Sequence, residues 1–170
     1  MIKHQGPLKP IPNWEEHTCF ACGPANTHGL QMKFFTDDRR LYSFLEVPAT
    51  MIGWDRIVHG GVLSTILDEI MAWAAIYLFK QLGVTRSITV DFVKPVRSGE
   101  KITAVAGLQE RISDTEVSMS ADIYDAGKAV CARATGRFKM ISPKAAVRLG
   151  IVGKDYIKTF SPILEFDYDG

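Results

Sequence analysis

What this sequence has little of narrows it first. It has three cysteines, Cys19, Cys22 and Cys131, an odd number and too few for a disulfide framework. A reducing compartment, the cytoplasm, is the expected location. Neither sign of charge dominates: 20 basic residues face 19 acidic ones, a formal net charge of +1. No bulk attraction to nucleic acid or to a membrane surface follows, and neither is an expected partner. The longest apolar stretch, residues 62–79, is broken by Asp68 and Glu69, which argues against a membrane span and for a buried helix. The opening MIKHQGPLKPIPNW holds no apolar run, so no signal peptide is expected. Neither a phosphate-cradling glycine loop nor a G-x-S-x-G elbow occurs. Internal repeats, low-complexity segments and domain linkers are also missing.

What remains is ordinary globular material. Hydrophobic residues make up 46% and charged residues 23% of 170 positions, which suits one core and one domain spanning residues 1–170. Residues 1–17 carry Pro7, Pro10 and Pro12 and read as an irregular arm. Residues 142–170 form a C-terminal extension with two apolar patches. Two short apolar segments, 30–36 and 41–47, flank a turn at Thr36, Asp37, Asp38 and Arg39 and read as a hairpin that Pro48 ends.

The helix signal begins near His59. Leu63, Ile66, Leu67, Ile70, Ala74, Tyr77 and Leu78 recur at spacings of three and four, and Gly83 is the expected stop. After it the period becomes two. Ile88, Val90 and Phe92 alternate with polar residues; so do Ile102, Ala104, Ala106 and Leu108; then Val117, Met119, Ala121 and Ile123; then Val130, Ala132, Ala134, Gly136, Phe138 and Met140. The breaks between these runs are too short for parallel crossovers, so the strands are expected to be antiparallel neighbours. An α+β fold follows, with a sheet curled around one long helix, because both then bury their apolar faces.

The chemistry concentrates at the helix start, in His59, Gly60, Gly61, Ser64, Asp68 and Glu69. Paired glycines are poor helix formers and need a reason. One reason is a tight turn. The other is close approach of a ligand carbonyl to the unpaired N–H groups of the first turn, where the helix dipole stabilises developing negative charge. Thr65, Asp68, Glu69 and Ala72 share one stripe of the helix. A carboxylate buried there must be paired, hydrogen-bonded or functional. His59 reads either as a helix-start residue or as a donor that positions substrate.

The run from His59-Gly60-Gly61-Val62 through Leu67-Asp68-Glu69 to Ala72-Trp73-Ala74 resembles the hotdog-fold acyl-CoA thioesterases, and among them the phenylacetate-pathway subgroup with its HGG-x(6)-D pattern. The stretch from Thr89 to Val96, with Gly99 and Glu100, resembles the strand after that family's central helix. The pair Cys19 and Cys22, with Gly23, Asn26, Gly29 and Leu30, resembles the opening of a subset of it. The likeness covers residues 19–140.

The resemblance implies hydrolysis of an acyl-CoA thioester to a free acid and coenzyme A. The Gly61 N–H, with His59 nearby, would polarise the carbonyl, and Asp68 would activate water or attack the carbonyl itself. It also implies a homodimer, with Asp68 acting opposite His59 and Gly61 of the partner, and pairing of dimers into tetramers. Nine residues make two and a half turns, so His59 and Asp68 of one helix do not converge. Gly60, Ser64, Glu69 and Trp54 are candidate substrate contacts; Trp54 belongs to a segment, 53–56, that departs from the family's small or apolar residues. Lys94 and Arg97 are candidates for the coenzyme A phosphates. No cofactor is expected beyond coenzyme A as part of the substrate.

A zinc reading of Cys19 and Cys22 with His17 and His28 is set aside at this level. There is no second C-x2-C, the four candidates crowd into twelve residues, and Gly23, Pro24 and Asn26 read as turn chemistry. No metal is therefore expected. Two rival functions are a hotdog-fold acyl-thioester dehydratase or hydratase, and a non-catalytic acyl-CoA-binding protein.

Overall fold

The computed structural model describes residues 6–164. Its centre is helix α1, Gly60–Phe79, apolar on most sides. Leu63, Ile66, Leu67, Ile70, Met71, Trp73, Ala74, Ala75 and Ile76 are buried in it, and truncating one large member to alanine costs about 2–5 kcal/mol. Length and composition would let α1 cross a membrane. Instead its apolar surface faces a sheet.

That sheet is antiparallel throughout. Strands β1 (Lys9–Pro10), β2 (Phe35–Thr36), β3 (Arg40–Glu46), β6 (Leu82–Phe92), β7 (Lys101–Ser113), β8 (Glu116–Asp125) and β9 (Val130–Ile141) lie in the order β1-β2-β3-β7-β8-β9-β6. Strands β3 and β6 to β9 all contact α1. In β9 the alternation is clean: Ala132, Ala134, Gly136, Phe138 and Met140 are buried, whereas Arg133, Thr135, Arg137 and Lys139 are exposed. Gly136 lets α1 pack closely on the sheet, because a Cβ there would stand 3.1 Å from Met71 of α1 and 2.9 Å from Phe138 of its own strand. This is the sheet curled around one helix that the residue pattern implied, and the hotdog arrangement that the resemblance implied.

A small hairpin, β4 (Ile52–Trp54) and β5 (Ile57–Val58), leads into α1. Beyond β9, the described residues form three short helices, α2 (Pro143–Arg148), α3 (Lys154–Thr159) and α4 (Ser161–Leu164). They seat Ile157, Phe160, Ile163 and Leu164 on the core.

Several expected boundaries move. The first strand of the hairpin is only Phe35–Thr36, because residues 11–34 belong to a loop. The arm of residues 1–17 contains the short strand β1, and residues 1–5 lie outside the described residues, as do 165–170 of the extension. The helix stop is Lys80, not Gly83. Lys80 adopts a left-handed φ of 53° and its N–H donates to Ile76 O. Gly83 lies inside β6, which therefore begins well before Ser87.

Candidate active site

The first turn of α1 is built by His59 as N-cap. The Gly61 N–H donates to His59 Nδ1 at 2.9 Å. The Val62 and Leu63 N–H groups both donate to His59 O. Among the described residues, the Gly60 N–H meets no acceptor, so Gly60, and not Gly61, holds the unpaired donor of the turn. Because Nδ1 accepts, the His59 ring proton resides on Nε2, and His59 keeps one donor for a ligand. Ser64 Oγ donates to Gly60 O at 3.0 Å and Thr65 Oγ1 to Gly61 O at 2.9 Å, so both hydroxyls brace the turn.

This turn opens into a cavity of about 350 Å³ lined by Trp54, Ile57, His59, Gly60, Leu63 and Phe92, among others. Its wall is mostly apolar, the character of a site for an acyl chain or a pantetheine arm. Trp54 lies on its rim, 83% exposed. Lys94 and Pro95 join this cavity to a second one of about 460 Å³, lined by Lys94, Arg97, Lys101, Glu100 and Asp125. Lys94 Nζ pairs with Asp125 Oδ2, which holds the lysine above its usual range and the carboxylate below its own. The two expected phosphate contacts, Lys94 and Arg97, are thus brought together, with Lys101 as a third cation that sequence reasoning did not single out.

Asp68 is elsewhere. Nine residues at about 1.5 Å each put it roughly 14 Å along α1 from His59. It is half-buried, and desolvation raises its carboxyl above the ordinary range. Its one hydrogen-bonding neighbour among the described residues is Thr85, whose Oγ1 donates to Oδ1 at 2.9 Å and partly counters that rise. No cation pairs with it among the described residues. A desolvated carboxylate held by one hydroxyl is a competent proton acceptor. Thr85 went unnoticed in the sequence because β6 was started too late.

Glu69 departs from the stripe it was expected to share. It lines a separate cleft with His17, Cys19, Cys22, Trp73, Tyr156 and Phe160. Trp73 Nε1 donates to Glu69 Oε1 at 2.9 Å, and Cys19 Sγ stands 3.9 Å from the same oxygen. Burial pushes the Glu69 carboxyl up to about 7. Within the cysteine pair, a hydrogen bond from the Cys22 thiol lowers Cys19 to about 5, and the same bond, with burial, raises Cys22. Glu69, expected as a substrate contact, thus lies in this second cluster and not beside the His59 cavity.

Comparison with known proteins fits this geometry. The Thioesterase superfamily profile matches residues 56–132, which span the helix start, α1, and β6 to β8. A solved thioesterase superfamily protein superposes with a TM-score of 0.66 at 21% identity, over 72% of this chain and 60% of that one. The chain has the hotdog fold, and its residues 56–132 match the Thioesterase superfamily. A hypothetical thioesterase from Streptococcus pneumoniae, solved with coenzyme A, superposes at 0.58 with 21% identity, over 62% of this chain and 80% of that one. The PaaI protein of the E. coli phenylacetic acid degradation operon gives 0.60 and 21%, over 66% and 81%. This chain spans less than two thirds of the first of these proteins. No curated protein matches its sequence significantly.

Proposed function

We propose that this chain is an acyl-CoA thioesterase of the phenylacetate-pathway type, acting as a homodimer whose sites form between subunits. The observation that carries the reading is the half-buried Asp68, without a paired cation among the described residues, on the same helix whose first turn offers the Gly60 N–H to an apolar cavity. The acyl thioester would enter the cavity at His59 and Gly60, with its oxygen on the Gly60 N–H and the Nε2–H of His59. The Gly61 N–H would join them if the His59 ring swung away from it. The phosphates of coenzyme A would meet Lys94, Arg97 and Lys101. Because one α1 separates these donors from Asp68 by roughly 14 Å, Asp68 of the second subunit would supply the base or the nucleophile. The β6 edge fits such a contact: beside the cavity, Phe92 and Val93 are 56% and 59% exposed. Hydrolysis then breaks the C–S bond; water's oxygen goes to the acid and a proton to the coenzyme A thiolate. Three free thiols suit the cytoplasm as location.

Thiol release from short, medium, long and aryl acyl-CoAs, measured on wild type and Asp68→Asn, tests this. One class should be turned over, and the substitution should lower kcat by about 10²–10⁴-fold while acyl-CoA binding survives. A second reading, a non-catalytic acyl-CoA binder, is favoured by one observation: the Gly61 N–H is already satisfied by His59. Tight binding with no turnover of any class would establish it.

A further inference from the structure

We propose that His17, Cys19, Cys22 and Glu69 form a zinc site that fastens the N-terminal loop to α1. No local pattern announces this set, because Glu69 arrives from a helix 50 positions away. In the fold, ligand atoms of His17, Cys19 and Cys22 lie within 4.8 Å of one another. Cys22 Sγ is 3.8 Å from His17 Nδ1, and Cys19 Sγ is 3.9 Å from Glu69 Oε1. Ligands bound to tetrahedral zinc at about 2.0–2.3 Å stand about 3.3–3.8 Å apart, so the Cys22–His17 and Cys19–Glu69 spacings are already close to those of neighbouring ligands. His28, the other histidine weighed from sequence, lies outside this group; Glu69 joins it through its contact with Cys19.

Two thiolates, an imidazole and a carboxylate are a donor set suited to zinc, and four protein ligands leave no open position, the pattern of a structural site. Binding through Nδ1 releases that nitrogen from Asn13 Oδ1, now 3.0 Å away. Nε2 then carries the ring proton toward the Tyr156 hydroxyl at 3.4 Å, the outer contact that orients metal-bound histidines. Protons still on the thiols and on the Glu69 carboxyl leave to solvent. Trp14 stacks on His17 at 4.2 Å, and Phe160 meets it edge-on, so the imidazole sits in an aromatic wall.

The loop itself supplies an independent reason. Residues 11–34 have no helix or strand, which is long for a loop in a compact domain. Yet it is tightly wound around the cysteines. A Cβ on Gly23 would stand 2.4 Å from Cys19 N and 2.5 Å from His17 O. Met32 N–H and Leu30 N–H return to Ala21 O and Phe20 O. The winding sets the cysteine pair against α1, while His17 and Glu69 converge on it from outside the C-x2-C turn. A simple redox pair needs neither.

The test is metal content of the full chain by plasma mass spectrometry, with cobalt as a spectroscopic probe. About one zinc per chain is expected in wild type, falling below about a tenth in Cys22→Ser. Should Cys22→Ser not fold, cobalt added to chelator-stripped wild type decides: tetrahedral d–d bands and a thiolate charge-transfer band are expected. Glu69→Gln should weaken zinc binding at least about tenfold; unchanged affinity overturns Glu69 as the fourth ligand. Folded wild type that retains no zinc and gives no cobalt spectrum, or that holds a Cys19–Cys22 disulfide instead, overturns the site.

Discussion

Asp68 and Glu69 are neighbours in sequence, carry the same functional group, and are both pushed upward by desolvation. Their company differs. Asp68 faces the free edge of the sheet and has one hydroxyl partner, from Thr85. Glu69 faces inward to an indole N–H and two thiols. One step of about 100° along a helix is enough to separate them. The difference teaches that burial alone does not mark a catalytic carboxylate. The group with the larger upward shift is the one enclosed by this chain's own loop. The group left with spare lone pairs toward an exposed edge is the one proposed for chemistry.

The sharpest way to break this comparison is to neutralise each carboxylate in turn. Asp68→Asn should remove about 10²–10⁴-fold of the turnover with little change in Tm, whereas Glu69→Gln should alter turnover by less than about tenfold. Equal losses from both would erase the distinction. The next effect is on stability. The folded Glu69 carboxyl titrates near 7 against 4.5 when free, so the folded state holds the proton longer. Its favourable contribution is complete below 4.5 and is lost as pH rises through about 7. In chelator-treated protein, wild type should lose Tm across that window relative to Glu69→Gln. Parallel Tm curves for the two proteins would show that Glu69 is not held protonated.

Much of the fold was legible because local periodicity and global packing agree. The three- and four-residue spacing of α1 and the alternation in β8 and β9 are read directly from Leu63 to Leu78 and from Val117 to Met140. Signals failed where backbone conformation is not tied to residue type. Lys80 takes a left-handed cap that glycine usually takes, so Gly83 drew the stop instead. The C-terminal helix α2 did carry a readable start, Ser142 with Pro143 after it, and the Ser142 hydroxyl accepts from Ala145 N–H at 3.3 Å. In the candidate site, the motif at His59 was legible. Thr85 against Asp68 and Cys19 against Glu69 were not, because contacts across 17 and 50 positions leave no local trace.

Thr85→Val sharpens the Asp68 side. It keeps the shape and removes the hydroxyl that lowers the Asp68 carboxyl's affinity for a proton. The acid limb of the kcat/KM profile should therefore move to higher pH, with activity at neutral pH reduced by less than about tenfold. An unmoved acid limb would mean that Asp68 does not set it.

The smallest effect tests the Glu69 side. Trp73→Phe removes the Nε1–H that reaches Glu69 Oε1 and leaves a ring to stack on Phe34. The lost ring volume costs the same at every pH. The lost hydrogen bond does not, because an indole N–H favours the ionised carboxylate over the neutral acid. Below 4.5, where Glu69 is protonated in both states, only the packing loss should show. Above 7 an additional loss of about 1–2 kcal/mol should appear. The reading is thus the difference between the two pH values in chelator-treated protein, not either Tm alone. Were the variant's deficit identical at both, the indole would be packing against Glu69 without holding its charge, and the enclosure that separates Glu69 from Asp68 would rest on desolvation and the thiols.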